Sequence, residues 1–395
     1  MKYPIAILHP GREQSIRRRH QWIFSKAIKR KDKSIVEGDV ISICDTAGNI
    51  LATGHYQDSS LSIRILEFGE AVINTVFWKR KLQSAYHYRK GLGLIPPTWT
   101  NAYRLIHGEG DELPGLIVDV YAHIAVLQAH SIGMFHQRQD IAQALMELSQ
   151  LHLQGVYDKS SGVLPQGAIS ANENSWLLGS SNNRIQISEN GIAFLVDIAQ
   201  GQKTGFFLDQ RVNRQYVREV SGGKSVLNCF CYTGGFSLYA LAGSAQHVTS
   251  LDSSAHAMEI LEQNVRLNYF KGDHRAISAD VMQYLGQITD NYDIVICDPP
   301  AFAKSMHRRH NAVQAYKRLN AMAMKRVRPG GMLFTFSCSQ VVDRQLFYDT
   351  VVAAAIEIGR PVRVMFEMSQ GPDHPVSIFH PEGSYLKGLA LYFEK

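Results

Sequence analysis

The stretches Asp293–Phe302 (DIVICDPPAF) and Gly330–Gln340 (GGMLFTFSCSQ) decide the fold of the second half of this chain. Each is an apolar run of strand length that ends on reactive residues, Asp298 in the first and Cys338 in the second. In an open α/β sheet, ligands bind at the carboxyl ends of parallel strands, where the loops leave the sheet. We therefore expect two neighbouring strands to bring a carboxylate and a thiol to one crevice.

Strand-like and helix-like segments alternate from about Ser221 onward, and this pattern predicts a doubly wound parallel sheet of the Rossmann type. The predicted strands are 225–230, 247–251, 276–279, 292–297, 332–337, 362–366 and 389–393. The predicted helices are 235–242, 255–267, 281–288, 312–327 and 343–358.

Turn signals and changes in periodicity divide the chain further. Short apolar runs between turns predict a small β-rich domain at the start, and a basic helical pattern opens a second region. The predicted divisions are 1–70 (β-rich domain), 71–190 (central α/β domain), 191–220 (connecting hairpin) and 221–395 (Rossmann-like domain). In the central region, Glu109, Asp111 and Glu112 are interpreted as the turn of a hairpin rather than as a metal cluster.

The bulk composition bounds the class of protein. With 395 residues, 45% of them hydrophobic, the chain is long enough for two or three cores. No apolar run approaches the roughly 18 residues that cross a bilayer. The first residues carry arginines where a signal peptide needs an apolar stretch, and the five cysteines lack metal-binding spacing. These features predict a reduced, cytoplasmic protein without a metal.

The net charge of +6 is concentrated in two clusters of basic residues. Residues 12–33 hold nine Lys/Arg against two acids, and residues 303–328 hold eight Lys/Arg and no acid. Such clusters attract phosphate backbones through counterion release, although a single one is often only a solvated face. Two clusters flanking the predicted crevice favour nucleic acid. The candidate RNA-binding residues are Arg12, Arg17, Arg18, Arg19, Phe302 (which can stack on an extruded base), Lys304, Arg308 and Arg309.

Three successive strand ends carry residues suited to an adenosine-containing cofactor. Gly234 and Gly235 open a helix whose N-terminus can hold one anionic group. A dinucleotide usually requires the third glycine of GxGxxG, whereas the single carboxylate of S-adenosylmethionine (SAM) does not. Asp252 and Asp280 end the next two strands, where ribose hydroxyls and an adenine amino group are expected. The predicted SAM site is Asn228, Phe230, Tyr232, Thr233, Gly234, Gly235, Asp252, Ser253, Asp280, Val281 and Asp298.

The thiol and the carboxylate predict methyl transfer to carbon 5 of a pyrimidine. Carbon 5 is a poor nucleophile until a thiolate adds to carbon 6 of the ring. Cys338 is the predicted nucleophile, and Asp298 is the group that hydrogen-bonds to N3 or protonates it. The other cysteines are predicted to be small buried side chains, namely Cys44, Cys229, Cys231 and Cys297.

Taken together, these motifs resemble the ribosomal RNA large-subunit methyltransferases of the RlmI type over nearly the whole chain. The matching segments are 8–12 with 22–25 (PUA domain), 108–116 (central domain), 202–211 (signature QKTGFFLDQR), 228–236 (SAM loop), 298–300 and 337–339 (motifs four and six) and 373–388 (closing segment). The resemblance implies a class I SAM-dependent methyltransferase domain preceded by a PUA-like β-barrel and a central α/β domain. It also implies 5-methylcytosine formation in 23S rRNA with SAM as donor, and a homodimer.

One departure from the wider RNA cytosine-C5 methyltransferases concerns release of the product. Those enzymes carry a second cysteine just after the motif-four proline, where this chain has Ala301. The RlmI type shares this absence, so the base that resolves the adduct is left unassigned.

Three alternative functions remain open from the sequence. They are methylation of a purine nitrogen or exocyclic amine, which needs no thiol; a non-catalytic RNA-binding ribosome-assembly factor; and NAD-linked oxidoreduction, which the missing third glycine disfavours.

Overall fold

The computed structural model describes residues 3–95, 99–164, 173–303 and 305–394. The chain forms two compact units. The first comprises Met1–Ser188, Val196–Phe206 and Pro372–Gly383, and the second comprises Glu189–Leu195, Phe207–Gly371 and Ser384–Lys395. Among the described residues, no helix combines the length and the apolar character that crossing a bilayer requires.

A six-stranded sheet forms from the first 68 residues. Its strands are β1 (Ile5–Leu8), β2 (Trp22–Phe24), β3 (Ile28–Lys31), β4 (Val40–Cys44), β5 (Ile50–Tyr56) and β6 (Leu61–Phe68), and helix α1 is Gln14–Arg17. The order is β2-β6-β5-β4-β1-β3, with only β1 and β4 parallel. Ile41, Ile43, Ile63 and Ile65 are fully buried in its core, so the predicted β-rich character of this region is confirmed.

A five-stranded sheet with three helices follows in the same unit. Its elements are α2 (Thr75–Gly91), β7 (Ala102–His107), β8 (Leu116–Tyr121), β9 (Ile124–Ala129), α3 (Ile132–His136), α4 (Arg138–Met146), β10 (Gly155–Asp158) and β11 (Ser175–Gly179). The order is β11-β10-β9-β8-β7. A two-stranded hairpin, β12 (Arg184–Glu189) with β13 (Ile192–Asp197), comes next along the chain.

The three acids Glu109, Asp111 and Glu112 lie in the connection between β7 and β8, an antiparallel pair, as the hairpin interpretation predicted. Each acid has a partner in the same unit. Asp111 accepts hydrogen bonds from Arg89, one of them at 2.8 Å. Glu109 accepts from the Trp22 indole at 2.8 Å, and Glu112 pairs with Lys81 at 2.8 Å.

The second unit is built on a seven-stranded sheet with order β16-β15-β14-β17-β18-β20-β19. Its strands are β14 (Ser225–Cys229), β15 (His247–Asp252), β16 (Asp273–Ser278), β17 (Tyr292–Cys297), β18 (Val327–Ser337), β19 (Arg363–Met368) and β20 (Lys387–Phe393). The helices are α5 (Arg211–Val220), α6 (Gly235–Ala242), α7 (Ala255–Arg266), α8 (Val281–Gln287), α9 (Arg309–Met324) and α10 (Arg344–Ile358).

The strand–helix alternation predicted for this unit is confirmed, but the all-parallel sheet is wrong in one strand. β20 runs antiparallel to both of its neighbours, β18 and β19. An apolar run carries the same hydrophobic pattern in either direction, so its orientation could not be deduced from the run itself. β18 is also longer than predicted, since it begins at Val327 and continues through Pro329 and Gly330.

Candidate active site

The order of the strands places a ligand crevice at the carboxyl end of β14. The chain winds outward from β14 to β15 on one side and to β17 on the other, which is the switch point where open α/β sheets bind ligands. Gly234 follows this strand with φ +89°, and a Cβ there would lie 2.0 Å from the Leu261 side chain. Only glycine fits that position, because the backbone is in the left-handed region and packs closely against Leu261.

The same loop holds two aromatic residues in the left-handed region. Phe230 has φ 58° and Tyr232 has φ 49°. Such conformations are costly for bulky side chains and persist only where the surroundings impose them, which is typical of ligand sites. Here Asp252 contributes, because its carboxylate accepts the backbone N–H of Tyr232 at 2.9 Å.

Two buried polar atoms test whether this loop fits SAM. The Asn228 Oδ1 and the Thr233 Oγ1 are buried and have no hydrogen-bond partner among the described residues, while the Asn228 amide donates to Ser237 at 2.8 Å. Buried polar atoms without partners are rare and mark places where a ligand or water is expected. The polar loop, its glycine turn and the start of α6 therefore fit the amino-acid end of SAM.

The next two strand ends carry the predicted carboxylates. Asp252 is half-buried and also accepts from the Ser254 N–H at 2.9 Å, with Ser253 exposed beside it. Asp280 is exposed and caps helix α8 by accepting from the Gln283 N–H at 2.8 Å, and Val281 is buried behind it. Both carboxylates keep acceptor capacity, since each carboxylate has about four lone-pair sites.

Asp298 follows β17, and its environment favours the protonated carboxyl. The side chain is half-buried, and its Oδ2 accepts a hydrogen bond from the Gln210 amide at 3.0 Å. Burial and the nearby charge of Asp209 raise the pKa of Asp298 to about 7, although the Gln210 hydrogen bond and Arg214 oppose the shift. Near neutral pH this carboxyl can therefore either donate or accept a proton.

Cys338 lies at the same end of the neighbouring strand. Cys297 of β17 pairs with Thr335 of β18, so Asp298 and Cys338 leave adjacent strands on one edge. Of the five cysteines, Cys338 alone is not fully buried. The burial predicted for the other four cysteines is confirmed. The pKa of the Cys297 thiol is raised, mainly by a hydrogen bond with Cys229 and then by burial.

The Tyr316 side chain lies near both of these groups. Burial, with contributions from the charges of Cys338 and Asp298, raises the pKa of Tyr316 to about 12. Phe302 packs against this tyrosine with ring centroids 4.6 Å apart and is half-buried, so part of its ring is committed to the core. The Ser339 hydroxyl donates to the Ala303 carbonyl at 2.7 Å and fixes the end of β18 to the loop after Asp298.

Several residues of this site were not singled out from the sequence. Gln210 contacts Asp298, and Asn213 orients it by donating to its Oε1 at 2.6 Å. Tyr385 donates to Asp209 at 2.6 Å. Both 202–211 and 385–388 were visible as motifs, but nothing in their spacing indicated which side chain meets Asp298.

The candidate RNA-binding arginines differ in their surroundings. Arg12, Arg17 and Arg18 are exposed and Arg19 lies over the Phe68 ring at 4.8 Å, all in the first unit. In the second unit, Arg308 is exposed, whereas Arg309 pairs with Asp343 at 3.6 Å. Lys304 lies outside the described residues.

Comparison with known proteins agrees with this geometry. The S-adenosylmethionine-dependent methyltransferase family model matches residues 103–365, and a PUA-like domain model matches residues 6–68. A solved structure of a Streptococcus mutans protein, described as a candidate SAM-dependent methyltransferase, shares the fold with TM-score 0.84 at 22% identity, covering 99% of this chain and 100% of that one.

Curated relatives extend over nearly the whole chain. The protein from Aeromonas hydrophila is 39% identical over 389 residues, 96% of this chain and 97% of its own length. That from Pseudoalteromonas atlantica is 39% identical, covering 97% of each. Both are named ribosomal RNA large subunit methyltransferase I. This chain therefore belongs to the SAM-dependent methyltransferases and, among them, to the family of ribosomal RNA large subunit methyltransferase I.

Proposed function

We propose that this chain methylates carbon 5 of a cytosine in 23S ribosomal RNA through a covalent adduct with Cys338. The observation that carries the proposal is the exit of Asp298 and Cys338 from adjacent strands at one edge of the sheet. The relatives named as ribosomal RNA large-subunit enzymes support the class of substrate. The same substrate favours the cytoplasm as the site of action.

The protein's residues perform the activation of the ring. SAM supplies an electrophilic methyl group when it is bound. The Cys338 thiolate forms a bond to carbon 6, and the displaced ring electrons reach N3, which takes a proton from Asp298. Carbon 5 is then enamine-like and accepts the methyl group. Loss of the carbon-5 proton and of the thiolate restores the ring, so that one difficult step is divided into easier ones.

The pKa of Asp298 suits the proton donor in this scheme. A group with a pKa of about 7 is protonated in about half of the molecules at neutral pH. A carboxylate in an ordinary solvated position, with a pKa near 4, would be almost fully ionised there. The base that takes the carbon-5 proton stays unassigned, since Ala301 offers no group for it.

The RNA is held by the basic residues of the PUA-like region, within residues 1–70, and by those that follow Asp298. Arg17 and Arg18 are exposed and suited to phosphate contacts. Replacing both by alanine should weaken RNA binding and reduce the slope of log K against log salt by roughly one for each phosphate that is no longer neutralised. Arg266→Ala, on the exposed face of α7, is the matched control.

A homodimer through the edge strand β19 accompanies this function. β19 lies at the edge of the sheet, and its Val364 and Phe366 are 41% and 49% exposed, with Ile356 of α10 75% exposed. Exposed apolar edge strands pair readily with a second copy. Phe366→Glu should therefore yield a monomer in sedimentation velocity, and an unchanged mass would refute this interface.

The test of the function is the identity of the methylated nucleoside. The full chain is incubated with unmodified 23S rRNA and methyl-labelled SAM, the RNA is digested, and the labelled nucleoside is identified by mass spectrometry. Labelled 5-methylcytidine supports the proposal. Labelled adenosine or guanosine would replace it with purine methylation, and no transfer despite SAM binding would favour a non-catalytic RNA-binding factor.

A further inference from the structure

A buried lysine lies beside the candidate nucleophile. Lys387 begins β20 and is the cross-strand neighbour of Ser337, the last residue of β18. Its side chain is only 4% exposed. The ammonium donates to the Ser339 carbonyl at 2.6 Å and to the Tyr385 carbonyl at 2.7 Å. One of these acceptors belongs to the residue directly after Cys338, so the cation is fixed at the segment that carries the thiol.

Both acceptors are neutral carbonyl oxygens, which hold the ammonium in place without cancelling its charge. An ammonium has three N–H donors, and these two bonds leave one for a further acceptor. Burial lowers the pKa of Lys387 to about 8, and of the acidic groups that oppose this shift, Cys338 acts more strongly than Asp343. A buried cation of this kind favours an anion beside it.

We propose that Lys387 is a positioning residue that stabilises the thiolate of Cys338 and thereby sets the pH at which the nucleophile forms. A cation close to a cysteine lowers the pKa of the thiol, because it favours the charged form. The catalytic meaning of this inference rests on the function proposed above, but the effect on the thiol does not depend on it.

The other charged and titratable groups of the described residues around this pair come from three directions. Asp298, at the end of β17, and Cys338 both raise the pKa of Tyr316 of α9. Asp343 and Arg344, at the start of α10, act on Lys387 with opposite signs. Asp343 is itself paired with Arg309, whereas Lys387 is a buried cation that two carbonyl oxygens hold in place.

The experiment measures the pKa of the thiol directly, in the full chain and without RNA. The rate of iodoacetamide alkylation is followed from pH 5.5 to 10, and Cys338→Ser gives the background from the four buried cysteines. In the unsubstituted protein, the Cys338 thiol should titrate below the ordinary value of about 8.5. A thiol pKa at or above that value would overturn the inference, whatever any variant does.

The variants separate charge from packing. In Lys387→Met, which keeps the length of the side chain, the thiol pKa should rise by about one unit or more, and alkylation at pH 7 should slow about tenfold. Lys387→Arg keeps the cation and should retain most of the low thiol pKa. Lys271→Met, at an exposed lysine of the same unit, should change neither value. An unchanged thiol pKa in a folded Lys387→Met protein would refute the inference.

The methylation assay then distinguishes this inference from the proposed function. If 5-methylcytidine is formed, the acidic limb of the kcat profile should move to higher pH in Lys387→Met, while SAM affinity is unchanged. If the product is a methylated purine, the proposed function fails, yet a Lys387-dependent thiol pKa would still establish the pair. If cytosine is methylated but the thiol pKa does not depend on Lys387, the proposed function stands and the role inferred for Lys387 is refuted.

Discussion

Asp111 and Asp119 of the first unit differ from Asp298 of the second unit in the partners of their carboxylates. In the first unit, Asp111 pairs with Arg89, and Asp119 accepts hydrogen bonds from Nε and Nη2 of Arg104 at 2.8 Å each. In the second unit, Asp298 receives a neutral amide hydrogen bond from Gln210 and faces the charge of Asp209.

The difference distinguishes an acid that stabilises the fold from one that can transfer a proton. A guanidinium neutralises a carboxylate through a bidentate contact, and the pair then serves to fix the loops that carry it. At Asp298, burial and the like charge of Asp209 disfavour ionisation, and the amide hydrogen bond only partly opposes them, so the pKa of this carboxyl rises to about 7. Burial alone therefore does not mark the reactive acid; its partner does.

The largest expected effect comes from removing the thiol of Cys338, on the strand next to that of Asp298. Cys338→Ala should lower methyl transfer about 10³-fold or more, because the ring is no longer activated, while SAM binding is unchanged. The measurement is single-turnover transfer to 23S rRNA. Cys44→Ala, at a buried cysteine in the first unit, is the control. Near-normal transfer by Cys338→Ala would place this thiol with the structural residues.

A comparably large effect, on stability rather than on activity, is expected when the ion pair between Arg89 and Asp111 is broken. Arg89→Met should cost about 3–5 kcal/mol of unfolding free energy in urea, because Asp111 is left buried without its cation. Adding Asp111→Asn should recover part of this loss, since the uncompensated charge is then gone. A loss below about 1 kcal/mol would mean that the pair contributes little to the fold.

Removing the charge of Asp298 is expected to stabilise the fold, whereas breaking the Arg89–Asp111 pair destabilises it. Its raised pKa means that ionising this carboxyl destabilises the folded state. This loss of unfolding free energy is absent below about pH 4 and grows as the pH rises toward 7. Asp298→Asn should thus increase the unfolding free energy by on the order of 1–3 kcal/mol at pH 8, with little gain at pH 4. Methyl transfer should fall about 10²-fold, because the proton donor is lost. A loss of stability at pH 8 would contradict this account.

The smallest effect concerns the neutral partner. The Gln210 hydrogen bond lowers the pKa of Asp298, so Gln210→Leu should raise it further. The alkaline limb of the kcat profile should then move up by roughly half a pH unit to one unit, with the maximal rate changed only a few-fold. Gln215→Leu, on the exposed side of α5, is the control. A shift toward lower pH would show that Gln210 acts in another way.

The local sequence determined most of the fold and much of the candidate site. Helix α6 has the predicted bounds, and β17 has both predicted ends, because apolar periodicity and glycine position are properties of neighbouring residues. For the same reason, the strand ends carrying Gly234, Asp252, Asp298 and Cys338 could be placed from the sequence without any tertiary contact.

Only the tertiary structure decided the direction of β20 and the partners of the reactive groups. Gln210 reaches Asp298 across 88 residues, and Lys387 reaches the Ser339 carbonyl across 48. Whether a carboxyl titrates near 4 or near 7 depends on such contacts, since its pKa follows from burial and from the charges nearby in space. The sequence by itself determined which residues stand at the strand ends, and the fold decided which of them can hold or release a proton.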